Sequence, residues 1–158
     1  YQKFVELADK KKLIYDDDLI SIARDEMTEV ADTGYSLDYL CVSAGTGTVP
    51  TATVRLRHQG KVIQDAACGD GPVDAALKTI DRITGRPGRL IDFSLQAVSV
   101  GQDAMGEVSI RVEFGPETIS AKAASTDIVD AAAKAYPACV NRLISRAQPP
   151  PAGARRKK

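Results

Sequence analysis

Apolar residues change their spacing several times along this chain, and each change marks an element. Ala52, Val54 and Leu56 alternate with Thr53, Arg55 and Arg57, the period of two expected of a strand with one buried face. Val108, Ile110, Val112 and Phe114 alternate in the same way with Ser109, Arg111 and Glu113. Turn pairs follow both runs, Gln59-Gly60 and Gly115-Pro116, so each run opens a hairpin. Beyond each hairpin and a short polar segment the spacing turns helical. Val73, Leu77, Ile80 and Ile83 make one stripe, and Ile128, Ala132, Tyr136, Val140 and Leu143 make another. Pro72 falls in the first turn of its helix, where a missing N–H costs nothing. Pro137 falls inside the second helix and is expected to kink or split it.

These elements repeat. Sliding the sequence by 56 residues aligns 40–84 with 96–140 without a gap, and 11 of 45 positions are identical. They include Val42/Val98, Ser43/Ser99, Gly45/Gly101, Arg55/Arg111, Ile63/Ile119 and the run Val73-Asp74-Ala75-Ala76 against Val129-Asp130-Ala131-Ala132. Chance would give roughly three or four for an ordinary composition. The fold class predicted is therefore α+β, a βββα unit over 35–85 and a second over 86–146. Residues 1–34 read as a helical region, with Asp16, Asp17 or Asp18 capping Leu19–Val30 and Gly34 ending it. The three adjacent carboxylates lack further ligands at calcium-loop spacing and read as capping and solvated residues. Residues 147–158, rich in proline and base, have nothing to bury and are expected to be disordered.

Charge narrows the partners. The chain has 21 basic and 21 acidic residues, but four of the bases lie in the last twelve residues, which hold no acid. An acidic body argues against a general nucleic-acid binder, including a double-stranded-RNA domain with strands beside helices. Hydropathy offers no stretch near the roughly 18 apolar residues of a spanning helix, and no basic-then-apolar leader opens the chain, so a cytoplasmic, non-membrane protein is expected. The chain starts at Tyr1 in helix-like sequence and is expected to be a piece of a longer one. Cys41, Cys68 and Cys139 form no Cys-x-x-Cys pair and read as reduced thiols without a metal role.

Candidate chemistry is sparse. His58 is the only histidine, at a strand end, and reads as an exposed surface residue. No base partners a nucleophile. Gly69-Asp70-Gly71-Pro72 is too short for a phosphate loop and does not match a dinucleotide fingerprint. It has two open readings: a plain turn, or a tight backbone that brings a helix N-terminus to a carboxylate. Cys68 before it is expected to be a small buried thiol. The equivalent loop of the second unit, Ser125-Thr126-Asp127, offers ordinary N-cap side chains and needs no ligand. Between the first two strands of unit two, Val98–Gly106 is rich in small residues, which suits either an apolar guest or close hairpin packing.

With these residues in view, the chain closely resembles the C-terminal regulatory domain of 2-isopropylmalate synthase. YSLDYLCVSAGTGTVPTATVRL, AACGDGPVDAALKTIDRITG, VGQDAMGEVSIRV and STDIVDAAAKAYPACVNRL carry the resemblance over roughly 34–145, and FVELADKKKLIYDDDL is similar to the linker after the family's catalytic barrel. The resemblance implies two βββα units about a pseudo-two-fold axis. It also implies a homodimer, a catalytic barrel on the same polypeptide that uses a divalent metal and acetyl-CoA, and L-leucine as a feedback effector of that barrel. Without the barrel's residues, no metal, cofactor or catalytic residue is expected in this chain. Transferred by position, the effector residues are Gly69, Asp70, Gly71 and Val73, then Leu90, Phe93, Ala97, Ala104 and Gly106, with Ile128 added. Phe93 stands where some relatives have tyrosine, which leaves no hydroxyl there. Two alternatives remain: an isoleucine sensor like that of citramalate synthases, and a dimerisation scaffold without a ligand.

Overall fold

The computed structural model describes residues 34–98 and 104–147, and their elements run βββα twice. Strands β1 (Ser36–Ser43), β2 (Thr51–His58) and β3 (Lys61–Cys68) form one antiparallel sheet and lead into helix α1 (Pro72–Thr84). Strands β4 (Arg89–Ala97), β5 (Gly106–Phe114) and β6 (Glu117–Ser125) form a second and lead into helix α2 (Ile128–Ala147). The alternating runs read from sequence are the central strands, and the inward side chains of β2 and β5 are buried from Ala52 to Leu56 and from Val108 to Phe114. Two-residue turns close both following hairpins. Positive φ at Gln59 (50°) and Gly60 (74°) gives the turn twist that suits paired strands, while at the second turn Gly115 (60°) carries the positive φ that Pro116 cannot adopt.

Pairing corrects the register of the repeat. Val42 lies opposite Ala52, whereas Val108, 56 residues beyond Ala52, lies opposite Leu95. The first strands are thus offset by 53 residues, because the β4–β5 connection is three residues longer. The identity at Val42/Val98 is therefore not a structural equivalence. Both first strands carry a bulge at the same level, between Leu37 and Tyr39 and between Leu90 and Asp92.

The helices lie between the sheets. α1 packs on β2 and β3, α2 packs on β5 and β6, and the two helices touch each other. One core joins Val54, Leu56, Leu77 and Ile80 of unit one to Val108, Ile110, Val112, Ile119, Tyr136 and Val140 of unit two. Burial of these side chains is the main stabilising term, at about 1.5–3 kcal/mol for each large one. α2 runs unbroken through Pro137, against the expectation of a split. Pro137 is buried with its neighbours Ala135, Tyr136, Cys139 and Val140, and that packing offsets the cost of about 3 kcal/mol that an internal proline carries.

The first strands are treated unequally by the helices. The backbone of β1 comes close to both helices, whereas that of β4 approaches neither as closely. The clasp on β1 comes from the extra length of α2. Its Asn141 accepts the Tyr35 N–H at 2.7 Å and donates to the Tyr35 carbonyl at 2.8 Å, and a Cβ on Gly34 would lie 2.8 Å from the same side chain. α1 stops sooner, at left-handed Gly85. Two local expectations also change. His58 is half-buried and stacks on Tyr35 at 4.0 Å, with Nδ1 closed off and without a partner. Cys68 is exposed, since it ends an edge strand on the outer sheet face, 3.7 Å from Thr51 Oγ1. The helical reading of 1–34, beyond Gly34 itself, and the tail after Ala147 lie outside the described residues.

Candidate functional site

A helix begins with backbone N–H groups that have no partner within it, so what finishes them decides what the end can bind. α2 finishes its own. Asp127 Oδ1 accepts the N–H groups of Val129 at 2.8 Å and Asp130 at 3.4 Å, and Ser125 Oγ accepts that of Asp127 at 3.2 Å. α1 does not: its N-cap is Gly71, extended at φ −155°, and no side chain caps it. Pro72 has no N–H, the Ala75 N–H returns to the Gly71 carbonyl at 2.9 Å, and the amides of Val73 and Asp74 stay open. Gly69 is required sterically, because a Cβ there would lie 2.4 Å from Ala75 N; at Gly71 nothing lies within 4 Å of one.

Each helix start faces a cavity against the first strand of the other unit. The α1 cavity, about 390 Å³, is lined by Val73, Leu77, Leu90 and Phe93 with Asp74, Lys78, Asp81, Gly88 and Tyr136. The α2 cavity, about 430 Å³, is lined by Leu37, Asp38, Tyr39, Leu40, Ser125, Thr126, Asp127, Asp130 and Lys134. The corrected register makes Leu37 and Leu40 the counterparts of Leu90 and Phe93. Both helices also keep an ion pair one turn apart, Lys78–Asp74 at 2.8 Å and Lys134–Asp130 at 2.7 Å. The cavities are thus repeats of one another, with a largely apolar lining and an open helix end at the first, and a polar lining and a capped end at the second.

Electrostatics separates the carboxylates of the α1 cavity. Asp74 Oδ2 receives Lys78 and the Asp70 N–H at 2.8 Å, which together hold its pKa below the usual value. Asp81 makes no ion pair among the described residues, and burial pushes its pKa up despite bonds from the Tyr136 hydroxyl at 2.5 Å and the Gly88 N–H at 3.3 Å. Burial likewise raises the Tyr136 hydroxyl, and it pushes the Cys139 thiol up to about 12, so Cys139 is an inert core residue. An open helix end beside an apolar cavity suits a small ligand with a carboxylate and a branched hydrocarbon chain.

Of the effector residues expected from the sequence, Val73, Leu90 and Phe93 line this cavity together, and Gly69, Asp70 and Gly71 form the loop at its helix end. The Asp70 and Gly69 amides are already used, the latter by the Pro50 carbonyl at 3.0 Å, so Gly71, Val73 and Asp74 hold the open ones. Ala97 and Gly106 pair across β4 and β5, with Ala104 just before them, and these three do not line the cavity. Gly106 has Leu95 beside it, 3.3 Å from a Cβ placed there, which is close hairpin packing. Ile128 is exposed at the start of α2 and is also outside the lining. The sequence missed Asp81, Gly88 and Tyr136. A trace existed, since the repeat sets Asp81 against Pro137 inside an otherwise well matched helix.

Comparison with known proteins agrees with this architecture. Residues 13–144 match the family model of the LeuA allosteric (dimerisation) domain, and the chain belongs to that family. More narrowly, it is the regulatory dimerisation domain characteristic of 2-isopropylmalate synthases. It is 44% identical over 145 residues to the 2-isopropylmalate synthase of Methylacidiphilum infernorum, covering 91% of this chain and 28% of that protein. It is also 48% identical over 142 residues to that of Microcystis aeruginosa, covering 89% and 26%, and 46% identical over 145 residues to that of Pelotomaculum thermopropionicum, covering 91% and 28%. The chain thus spans under a third of the length of these relatives. Among the described residues no helix is long and apolar enough to cross a membrane.

Proposed function

We propose that this domain binds L-leucine as a feedback effector in the α1 cavity, and that it does so as a homodimer attached to the catalytic barrel of a 2-isopropylmalate synthase. The observation that carries the reading is the uncapped start of α1 opening beside Val73, Leu77, Leu90 and Phe93. The ligand's carboxylate meets the Val73 and Asp74 amides and the positive end of the helix dipole, and its isobutyl group takes the apolar wall. The condensation itself, with its divalent metal and acetyl-CoA, belongs to the barrel in the cytoplasmic parent enzyme, and this domain supplies control. The dimer reading draws on the family's dimerisation role and on apolar side chains left uncovered along β4 and its connection to β5, Leu90, Ile91, Leu95, Val98 and Met105.

Calorimetric titration with leucine, isoleucine and valine tests the effector. Leucine branches at Cγ and isoleucine at Cβ, and β-branched Val73 stands beside the anchoring amides, so leucine is expected to bind about 10- to 100-fold more tightly. Isoleucine binding as tightly as leucine would favour a citramalate-synthase-like sensor, and heat with none of the three would leave a scaffold. Sedimentation tests assembly: a particle of twice 16.9 kDa is expected, and a monomer at tens of micromolar with leucine present would contradict it.

A further inference from the structure

One wall of the α1 cavity is built around one carboxylate. Asp81 lies near the end of α1 and is half-buried, and its Oδ1 receives two donors from different parts of the fold. The Tyr136 hydroxyl, from the middle of α2, donates at 2.5 Å. The Gly88 N–H, from the approach to β4, donates at 3.3 Å. Gly88 is itself pressed into the core, since a Cβ on it would lie 2.5 Å from Val112 Cγ1, 2.6 Å from Tyr136 Oη and 2.7 Å from Phe114 Cε1. Asp81 therefore ties α1, α2 and the start of β4 at one point. Elsewhere the backbones of α1 and β4 stay apart, and the cavity lies between their side chains.

Unit two has no such knot. Pro137 occupies the position equivalent to Asp81, and β1 is held by Asn141 through both backbone groups of Tyr35. Both first strands border a cavity, a polar one beside β1 and a largely apolar one beside β4, and the Asp81 tie adjoins the apolar one.

We propose that Asp81 is a positioning residue of the effector cavity: by receiving Tyr136 and Gly88 it sets the spacing between the Val73–Leu77 wall and the Leu90–Phe93 wall, and so decides which branched side chain the cavity accepts. This rests on the effector reading above. A carboxylate in the cavity wall thereby governs selectivity through the spacing it sets, because a misplaced methyl in an apolar pocket changes affinity roughly 10- to 200-fold.

The test compares three variants of the domain by calorimetry with leucine and isoleucine. Asp81→Asn keeps an acceptor for both donors, Asp81→Ala removes it, and Tyr136→Phe removes one donor while keeping the ring. Thr79→Ala is the stability control, since the buried Thr79 hydroxyl bonds the Ala52 and Ala75 carbonyls and does not line the cavity. Asp81→Ala is expected to change the leucine-to-isoleucine affinity ratio about tenfold or more, and Tyr136→Phe by a smaller factor. Asp81→Asn should hold the ratio within about threefold of the parent, and Thr79→Ala should lower the melting temperature without moving it. An unchanged ratio in both Asp81→Ala and Tyr136→Phe, or in Tyr136→Phe alone where Asp81→Ala does not fold, would overturn the proposal. So would an equal change in Thr79→Ala. Should the parent domain bind neither amino acid, the effector reading falls and takes this one with it; a selective parent with equally selective variants sinks the positioning role alone.

Discussion

The two helices begin on opposite terms although their sequences repeat. Asp127 hydrogen-bonds the first amides of α2, and the cavity beside that end is lined by Asp38, Asp130, Ser125 and Thr126. Gly71 leaves the first amides of α1 open, and the cavity there is lined by Val73, Leu77, Leu90 and Phe93. The duplicated unit thus keeps its fold twice and leaves an open helix end once. The change needs few residues: a side chain at the N-cap completes the helix, and a glycine leaves it to be completed from outside.

The largest effect should come from converting the open end into the capped one. Gly71→Asp places a carboxylate at the N-cap, in space where a Cβ meets nothing within 4 Å, so folding survives. Leucine affinity should fall about 100-fold or more, because like charges meet at the anchoring amides. Unchanged titration would reduce the glycine loop to a turn. Next comes the clasp that draws β1 onto α2. Asn141→Ala leaves the N–H and carbonyl of Tyr35 without their partner and should cost about 2 kcal/mol in chemical denaturation, with a loss under 0.5 kcal/mol refuting the clasp. Opening the capped end is a smaller perturbation. Asp127→Ala should cost about 1 kcal/mol of stability and leave leucine binding within twofold of the parent.

The smallest effect is a pH dependence. Burial raises the pKa of Asp81 above its ordinary 3.8, so the folded state favours the protonated acid. The stability this contributes is present below the unfolded value and is lost as pH rises through the folded one. Asp81→Asn escapes that loss. The melting temperature of the variant minus that of the parent should therefore grow more positive from pH 3.5 or so to neutrality, and a flat or falling difference would contradict the burial effect.

Sequence alone revealed the parts of the fold whose residues meet only one environment. β2 and β5 alternate cleanly because one face is buried under a helix and the other is exposed, and their turns carry the residues that positive φ requires. The first strand of each unit is present as the βββα reading required, but the longer β4–β5 connection shifted the repeat there by three residues, which made Val42 and Val98 look equivalent. Half the cavity was legible: Val73, Leu90 and Phe93 line it, and the contrast between Gly71 and Asp127 follows from N-cap chemistry. The wall at Asp81 was not, because the Asp81–Tyr136 bond joins residues 55 apart and leaves no periodic signal. The split expected at Pro137 failed for a similar reason, since local rules see the missing N–H and not the core around it. Cys68 was misplaced because composition cannot tell the inner from the outer face of an edge strand.

The central claim is that the start of α1, and not that of α2, receives an amino acid. The most direct measurement follows the backbone amides and methyl groups of the 13C,15N-labelled domain by NMR while L-leucine is added. The account predicts saturable shifts at Gly71, Val73 and Asp74, accompanied by the methyl groups of Leu77 and Leu90, with Val129 and Asp130 stationary. Shifts centred on Val129 and Asp130, or saturation without any change at Gly71 and Val73, would contradict it.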